Sequence, residues 1–332
     1  MEIKRRKFLK TSTKTCHAST MCFYQDEPIF AWFGGTREGE SDSSIYVQVG
    51  KKVHVLANSH QIPMWNPILF PFRDKLFLFI KIGIFCDRWQ TFIMDISDIF
   101  ETNFNISNVE MEVLPAGLNG PVKTKPVFHN GVIYCGSSVE TIYDWSSYIE
   151  SYLYDEKNAS FVFVSRSSPL TAPKTAYKDP YGHTRVSTGI IQPSLWVDSK
   201  GNLNAFMRSS RGLGRIYYSS SQDDIHELWS TPAPTKFKNP NSGVDTVFVN
   251  GRLFLIYNPS SDYRMPLVVS EIDNDLFEII DTVSIKDSFT EEEKRDIFTS
   301  ELSYPYMIEH DGKLHCVYTY GRAKIEYVEI TI

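Results

Sequence analysis

A polar turn followed at once by an apolar or alternating run recurs six times along this chain of 332 residues. The turns use pairs such as Asn-Gly and Asp-Gly, and the runs are rich in Phe, Tyr, Leu, Val and Ile, which is the pattern of β-hairpins with one buried face. The units read DEPIFAWF, RDKLFLFI, NGVIYCG, KGNLNAFM, NGRLFLIY and DGKLHCVY, and they start at residues 26, 73, 130, 200, 250 and 311. A repeat of about 50 residues that carries only strand signal predicts a β-propeller.

The repeat also sets the number of blades. Six four-stranded modules joined by variable loops account for the whole chain, so we predict an all-β, six-bladed β-propeller in a single domain spanning residues 1–332. Five or seven blades are the alternatives, whereas a solenoid would need shorter and more regular repeats. Two segments test this prediction: we expect WSSYIESYLYDE to be a strand, and DSFTEEEKRDIF could form one or two helical turns.

Composition restricts the classes of function. The chain is 42% hydrophobic and 22% charged with a net charge of −6, as in ordinary globular proteins. The basic residues are scattered apart from KRRK at positions 4–7, which argues against a nucleic acid partner. No window approaches the length of an apolar membrane span. RRKFLK resembles the start of a twin-arginine export signal, but no apolar run follows it, so we expect a cytoplasmic protein.

Cysteine and histidine spacing predicts neither a disulfide framework nor a metal site. The five cysteines, at positions 16, 22, 86, 135 and 316, fit no CxxC pattern, and free, mostly buried thiols in a reducing compartment explain them. The eight histidines show no HxxxH or Cys/His cluster. GLGRIY at 212–217 lacks the third glycine of a dinucleotide-binding loop. We therefore expect no cofactor.

Polar side chains at the starts and ends of strands are the candidate site residues. A propeller gathers the first strand of each blade around one axis, so a site must be assembled from several blades. The loop FGGTREGESD, at 33–42, holds more charge than a hairpin turn needs, which indicates either a solvated surface loop or a functional loop. The candidates are His17, Arg37, Asp42, Asn66, Lys123, Lys125, Glu140, Gln192, Arg208, Asn241, Asp245, Arg264, Tyr304 and Arg322.

Several motifs together resemble the sialidase (neuraminidase) superfamily of BNR or Asp-box propellers, over nearly the whole chain. They are HAST, FGGTREG, PMWNP, GPVKTKP, SSVE, QPSL, NPNSGVD, SYPY and YTYGR, and HAST with FGGTREG is similar to one sialidase-like branch. The resemblance implies an enzyme that clamps a substrate carboxylate with three arginines, protonates the leaving group with an Asp and attacks with a Tyr activated by a Glu. Guanidinium groups bind carboxylates bidentately, and a Tyr nucleophile is a known exception among glycosidases.

The resemblance assigns two of the three clamp arginines. Arg208 and Arg264 match the second and third, but His17 stands where the first is expected, and a neutral imidazole cannot replace a guanidinium fork. Asp42 follows Arg37 by five residues, as the acid/base Asp does in the family. The clamp is therefore incomplete, while the acid is retained.

The nucleophile and its base are less complete. Tyr304 lies within one residue of the nucleophile position, with Ser303 as the alternative. Gln192 occupies the place of the activating Glu, and an amide is no base. Glu140 and Glu301 are the available replacements, Glu301 being the weaker because neighbouring loop residues often point apart.

Three functions stay open on these residues. The first is hydrolysis or transfer of a terminal acidic sugar (a sialic acid, another ulosonic acid or a uronic acid), which the surviving arginines with Lys123 and Lys125 favour. The second is a uronate lyase that uses His17, Tyr304 and Arg208, and the third is a non-catalytic carbohydrate-binding propeller. Each takes an acidic glycan or sugar as its partner. The predicted catalytic residues are Asp42, Tyr304, Glu140 and His17, and the predicted substrate-binding residues are Arg37, Asn66, Lys123, Gln192, Arg208, Asp245, Arg264 and Arg322.

Overall fold

A computed structural model describes residues 1–58, 61–290 and 300–332 of the chain. These residues form antiparallel β-sheets joined by turns, and they divide into two compact units. The first unit contains Met1–Asn119 and Ile285–Ile332, and the second contains Gly120–Ser284.

The first unit holds three four-stranded sheets. One sheet has the order β2-β3-β4-β5, a second β6-β7-β8-β9, and in the third the N-terminal strand is the outer neighbour of the last strand, in the order β1-β26-β25-β24. The strands are β1 (Glu2–Phe8), β2 (Thr15–Tyr24), β3 (Glu27–Gly35), β4 (Ser44–Val49), β5 (Lys52–Leu56), β6 (Met64–Phe72), β7 (Lys75–Ile82), β8 (Gln90–Asp95), β9 (Glu112–Val113), β24 (Leu302–His310), β25 (Lys313–Tyr320) and β26 (Lys324–Thr331), with short 3-10 turns at Ser97–Phe100 and Ile106–Asn108.

The second unit carries three more four-stranded sheets and one separate hairpin. The sheets have the orders β10-β11-β12-β13, β16-β17-β18-β19 and β20-β21-β22-β23, and the hairpin is β14-β15. The strands are β10 (Val127–His129), β11 (Val132–Glu140), β12 (Trp145–Asp155), β13 (Ser160–Arg166), β14 (Ala176–Lys178), β15 (Thr184–Val186), β16 (Ile190–Val197), β17 (Leu203–Ser209), β18 (Arg215–Ser220), β19 (Ala233–Lys238), β20 (Asp245–Val249), β21 (Arg252–Tyr257), β22 (Leu267–Ile272) and β23 (Ile279–Lys286).

Each of the six predicted turns joins the first and second strands of one sheet. These turns could be recognised from local sequence, because a tight two-residue turn needs positive φ at both central positions, which Asn, Asp and Gly tolerate. Asn250 and Gly251 have φ of 51° and 76°, and Asp311 and Gly312 have φ of 50° and 71°. The prediction of an all-β chain with six four-stranded blades is confirmed. WSSYIESYLYDE contains strand β12, as predicted, whereas residues 291–298 of DSFTEEEKRDIF lie outside the described residues.

The core lies between neighbouring sheets in each unit, where apolar side chains alternate inward. In the first unit, one cluster unites the β2 and β24 sheets through Trp32, Tyr306 and Val317. In the second unit, the β16 sheet packs on both of its neighbours through two further clusters. All five cysteines are free thiols and four are buried; burial raises the pKa of Cys16 to about 12, so this thiol stays protonated at neutral pH. In the described part of the chain, no helix is long and apolar enough to cross a membrane.

Candidate functional site

A β-bulge interrupts the first strand of four sheets among the described residues. In β2, β6, β16 and β24, the register with the second strand shifts, and a residue within the shift has positive φ. A bulge re-aims side chains and is common beside active sites, while a non-glycine residue in this conformation costs about 1–2 kcal/mol. The residues are Ala18 (49°), Asn66 (40°), Gln192 (58°) and Tyr304 (50°).

The bulges are the motifs HAST, PMWNP, QPSL and SYPY of the sequence. Pro follows the positive-φ residue in three of them, at Pro67, Pro193 and Pro305. Since Pro has no N–H, it belongs where the ladder of backbone hydrogen bonds is already broken. In PMWNP, QPSL and SYPY, the bulge therefore turns a polar or aromatic side chain out of the regular alternation of the strand, whereas the positive-φ residue of HAST is Ala18.

In the second unit, Arg208 is oriented by two neutral amides. Its Nη1 donates to Gln192 Oε1 at 3.0 Å and its Nε donates to Asn241 Oδ1 at 2.9 Å. The guanidinium carbon lies 5.4 Å from the centre of the Trp145 ring, within the range of a cation–π contact. Arg208 and Gln192 are both buried. These two contacts are to neutral amide oxygens, and they fix the plane of the guanidinium.

Arg264 joins the same arrangement through Asn241. Its Nη2 donates to the backbone oxygen of Asn241 at 2.8 Å, so one residue orients both predicted clamp arginines. Glu140 lies at the end of β11, where it is the register partner of Trp145, and its Oε1 accepts from Ser138 Oγ at 3.3 Å. Arg208, Arg264 and Glu140 are thus brought to one edge of the second unit.

Two lysines add positive charge near Arg208. Lys125 Nζ contacts both carboxylate oxygens of the buried Asp245, at 2.8 and 2.9 Å, and Ser194 Oγ donates to Oδ1 of that carboxylate at 2.8 Å. Lys123 is only 1% exposed. Burial is the main cause that lowers the pKa of Lys123 to about 8; Asp245 opposes this shift, and the charges of Lys125 and Arg208 add to it. The second unit therefore holds a buried cationic cluster, defined as the buried Lys123 and Arg208 with the partly exposed Lys125 and Arg264.

In the first unit, Arg322 contacts two carboxylates. Its Nε lies 3.0 Å from Glu301 Oε1, and its Nη1 donates to Glu38 Oε2. Ser303 Oγ donates to the same Glu301 oxygen at 2.6 Å. Burial alone would lower the pKa of Arg322, but Glu301 and Glu38 outweigh it and raise this pKa above its ordinary value. This ion-pair network ties the loop that carries Glu38 to the turn between β25 and β26. It also engages the carboxylate of Glu301, while the role of Glu301 as a base for Tyr304 stays a prediction.

His17 and Tyr304 are in contact in the same unit. Their ring centroids are 4.2 Å apart at an interplanar angle of 51°, and His17 also packs edge-on against Phe33 at 5.8 Å. Both side chains are buried, and the electrostatic effect of Tyr304 on Arg322 puts the phenol close to this guanidinium. Imidazole and phenol are side-chain types that serve in general acid–base catalysis, and the bulged strands β2 and β24 bring one of each into ring contact.

The loop FGGTREGESD places its other candidates on its outer side. Arg37 has a side chain that is 77% exposed and pairs with Glu40 at 3.0 Å. Asp42 is exposed, and its Oδ2 accepts from the backbone N and the hydroxyl of Thr36, at 2.9 and 2.6 Å. Asn66 is buried in the β6 bulge.

Sequence reasoning missed some contributors. Trp145, which lies beneath Arg208, belongs to no distinctive motif, and Ser194 stands out in the sequence only as part of QPSL. The contact of Glu38 with Arg322 joins residues far apart in the sequence, so no local pattern indicates it. The hairpin β14-β15 was also missed, because its strands have three residues each. Among the described residues, no group of three or more His, Cys, Asp or Glu side chains could hold a metal ion.

The family of BNR repeat-like domains matches residues 28–316. The chain belongs to this family. Comparison with curated protein sequences gives no match. Among solved structures, a protein of unknown function from Dyadobacter fermentans DSM 18053 is similar to this BNR repeat-like chain with a TM-score of 0.71 at 12% identity, covering 100% of this chain and 99% of that one.

Two sialidases share the fold over most of this BNR repeat-like chain. The Hadza microbial sialidase Hz136 has a TM-score of 0.62 at 10% identity, with 96% of this chain and 66% of that chain covered. Trypanosoma rangeli sialidase has a TM-score of 0.61 at 11% identity, with 96% and 55% covered, and it has been solved in complex with sialic acid. The chain therefore spans about half to two thirds of these sialidases, and the similarity shows the fold, a six-bladed β-propeller.

Proposed function

We propose that this BNR repeat-like protein binds a terminal acidic sugar and hydrolyses or transfers it. The observation that carries the proposal is the buried cationic cluster of the second unit. The lysines and arginines of this cluster create a positive potential that favours an anion, and a planar guanidinium binds the carboxylate of a sugar bidentately.

The state of Lys123 supports a ligand that brings negative charge. A lysine with a pKa lowered to about 8 is partly discharged at the upper end of the physiological range. A bound carboxylate would raise this pKa again, so ligand binding and protonation of Lys123 reinforce each other. Gln192 contributes by orienting Arg208 with a neutral amide oxygen where a glutamate would add a negative charge.

For the chemistry, we assign Tyr304 as nucleophile, His17 as its base and Asp42 as acid. Tyr304 Oη would attack the anomeric carbon while its proton passes to His17 and the bond to the leaving oxygen breaks. Asp42 would supply the proton that this oxygen takes up. Water would then cleave the tyrosyl–sugar bond and return the phenol, or an acceptor hydroxyl would do so in a transfer reaction. The contact of the Tyr304 and His17 rings and the positive φ of Tyr304 support these roles.

The first test is a shift in melting temperature with free acidic sugars: sialic acid, its dehydro analogue, ketodeoxyoctonate, legionaminic and pseudaminic acids, and glucuronate. A ligand that binds the folded state raises the melting temperature by mass action. We expect one of these sugars to stabilise the wild type but not the variant Arg208→Ala with Arg264→Ala. Arg215→Ala is the matched control, because Arg215 is an exposed arginine of the same unit that donates to the Lys236 oxygen. Equal stabilisation of the wild type and the double variant would disprove the clamp.

A lyase is the second candidate, favoured by the contact between His17 and Tyr304. Elimination leaves an unsaturated uronate that absorbs in the ultraviolet, whereas hydrolysis leaves a new reducing sugar without this absorption. Product absorbance on a uronate polymer therefore separates the two reactions. The binding-only alternative predicts no turnover on any acidic glycan while the thermal shift persists, and Asp42→Ala then changes neither property.

A further inference from the structure

The hairpin β14-β15 is an insertion between the sheets that begin with β10 and β16, and its base lies beside Arg208. Thr188 and Gly189, just after β15, donate to Ser210 Oγ at 2.9 and 3.1 Å, two residues beyond Arg208. Trp145, whose ring lies under Arg208, donates its backbone N–H to the Thr188 oxygen at 2.9 Å. The base of the hairpin therefore lies next to Arg208 of the buried cationic cluster.

Both ends of the hairpin are braced. At the base, Lys174 Nζ donates to the oxygens of Tyr143 and Thr188, each at 2.8 Å, and so joins the hairpin to the loop 141–144. At the tip, Asp179 accepts from the backbone N–H groups of Tyr181 and His183, at 3.0 and 2.9 Å. A braced hairpin presents its side chains in a fixed geometry, which lowers the entropy lost when a ligand binds.

The middle of the hairpin contacts the turn after β17. Tyr177 lies so close to Gly212 that a Cβ at that position would be 2.5 Å from the ring, which explains the glycine there together with its φ of 90°. Arg185 is the register partner of Tyr177 and so lies on the same face. Because Gly212 lies four residues beyond Arg208, this contact brings the hairpin face that holds Tyr177 and Arg185 next to the end of β17, the strand that carries Arg208.

The exposed side chains of the hairpin and loop suit a sugar chain. Tyr143 and Tyr181 are each 75% exposed, one at the base and one at the tip, and aromatic rings offer flat apolar surface with a polar edge. Residues 174–186 and loop 141–144 together contain three cationic side chains and two carboxylates. Lys174 pairs with Asp144 and Arg185 with Asp179, while Lys178 donates to the Thr184 hydroxyl and is the cation offered to a ligand. Strands rise about 3.3 Å per residue, so the hairpin extends roughly 13 Å from its base, long enough for two or three sugar rings.

We propose that this rim, defined as the hairpin with loop 141–144, binds the sugars that follow the terminal acidic one, and that these also carry anionic groups. The inference rests on the proposed function, because it places the terminal sugar at the cationic cluster. Tyr143 and Tyr181 contact the ring faces, while Lys178 attracts the carboxylate or sulfate groups and Arg185 stays paired with Asp179. The substrate class is therefore a glycan with successive acidic residues, and the rim sets the preference for the chain over the monosaccharide.

The test compares each acidic tetrasaccharide with its monosaccharide. The probes are an α2,8-linked sialic acid tetramer, a galacturonate tetramer and a heparin-derived tetrasaccharide, with maltotetraose as the neutral chain, and affinity is measured by calorimetry. We expect one acidic tetramer to bind the wild type at least about tenfold more tightly than its monosaccharide, as when contacts are added at an interface hot spot. Tyr181→Ala with Lys178→Gln should remove that advantage and leave monosaccharide affinity unchanged.

The matched control is Leu276→Ala with Lys200→Gln, which removes an exposed apolar and an exposed cationic side chain from other turns of the same unit. The control should retain the advantage of the tetramer. The inference is wrong if no acidic tetramer binds, if maltotetraose binds as well as the acidic chain, or if the rim variant keeps the full advantage. Failure of the proposed function has a different signature, namely monosaccharide binding that survives Arg208→Ala with Arg264→Ala.

Discussion

Arg322 in the first unit and Arg208 in the second are both largely buried arginines near a bulged strand, but their partners differ in charge. Arg322 contacts the carboxylates of Glu301 and Glu38, whereas Arg208 contacts the amide oxygens of Gln192 and Asn241. Carboxylates neutralise a guanidinium and turn it into a structural ion pair, while amides hold its geometry and leave its charge effective at longer range. The same residue type thus stabilises the fold in one unit and is suited to an anionic ligand in the other.

The largest expected effect is the loss of stability when the ion-pair network of the first unit is broken. Arg322→Ala leaves Glu301 and Glu38 without their shared cation, and removing one partner of a largely buried pair costs about 3 kcal/mol. Arg208→Ala removes hydrogen bonds to neutral groups and should cost about 1–2 kcal/mol. Urea unfolding of both variants measures the difference. Equal losses would contradict the distinction between the two arginines.

A second prediction concerns Lys123, whose replacement should raise the free energy of unfolding, whereas replacing Arg322 or Arg208 should lower it. Its pKa is lowered to about 8 from 10.5, so the folded state carries the charged lysine at a penalty on the order of 3 kcal/mol below pH 8. Wild-type stability should therefore rise between about pH 8 and 10.5, because the unfolded chain binds more protons there. Lys123→Met should raise the free energy of unfolding at pH 7, and this gain should shrink across the same pH window.

The same variant separates stability from binding. If Lys123 attracts a sugar carboxylate, the affinity of the wild type should fall above about pH 8, as the lysine loses its proton. Lys123→Met should bind weakly at every pH and lack this dependence. Lys200→Met, at an exposed lysine of the same unit, is the control for both measurements. A stabilised Lys123→Met that binds as tightly as the wild type would exclude Lys123 from the site.

A third prediction gives Arg208 a carboxylate partner, as Arg322 has. Gln192→Glu gives Arg208 a carboxylate in place of an amide oxygen, so the affinity for an acidic sugar should fall by at least about tenfold, or about 1.4 kcal/mol. Gln192→Met keeps the volume without adding charge and should reduce affinity only a few-fold. Calorimetric titration of both variants checks the comparison. If the methionine variant loses as much as the glutamate variant, the neutrality of Gln192 is irrelevant.

The smallest expected change in the free energy of unfolding comes from a substitution within a bulge. Ala18 has a φ of 49°, so Ala18→Gly relieves a conformation that disfavours side chains while adding the usual entropy cost of glycine. The two terms nearly cancel, and the free energy of unfolding should change by less than about 0.5 kcal/mol. Ala205→Gly, in the buried middle of β17, has no such relief and should cost about 1 kcal/mol. Thermal unfolding of both variants compares them.

How much of the structure the sequence could predict depends on how far apart in the sequence the interacting residues lie. The six blades were predictable because each hairpin turn is a local feature, such as Asn250-Gly251 between two apolar runs. The family resemblance singles out QPSL and SYPY, which are bulges in the structure, but motif spacing alone could not indicate positive φ at Gln192 and Tyr304. The single-domain prediction and the catalytic roles stay predictions.

The charge state of each arginine could not be predicted, because it depends on long-range pairing. Glu38 and Arg322 lie near opposite ends of the chain, and Lys125 finds Asp245 only when separate blades are assembled. From the sequence, Glu301 is a weak candidate for the base of Tyr304, and in the structure its carboxylate contacts Arg322 and Ser303. Local patterns specify strands, whereas partners across the chain decide which charges are neutralised.

The pairing of β1 with β26 has a consequence for how the molecule forms. Glu2 is the register partner of Thr331 and Phe8 that of Glu326, so the outer strand of one sheet comes from the opposite end of the chain. On a ribosome, β1 is made long before β26, so β1 must wait for β26 before the two strands can pair. Such a pairing has a high contact order and closes a very long loop, which makes it a late step. This sheet should therefore show the slowest gain of amide-exchange protection during refolding.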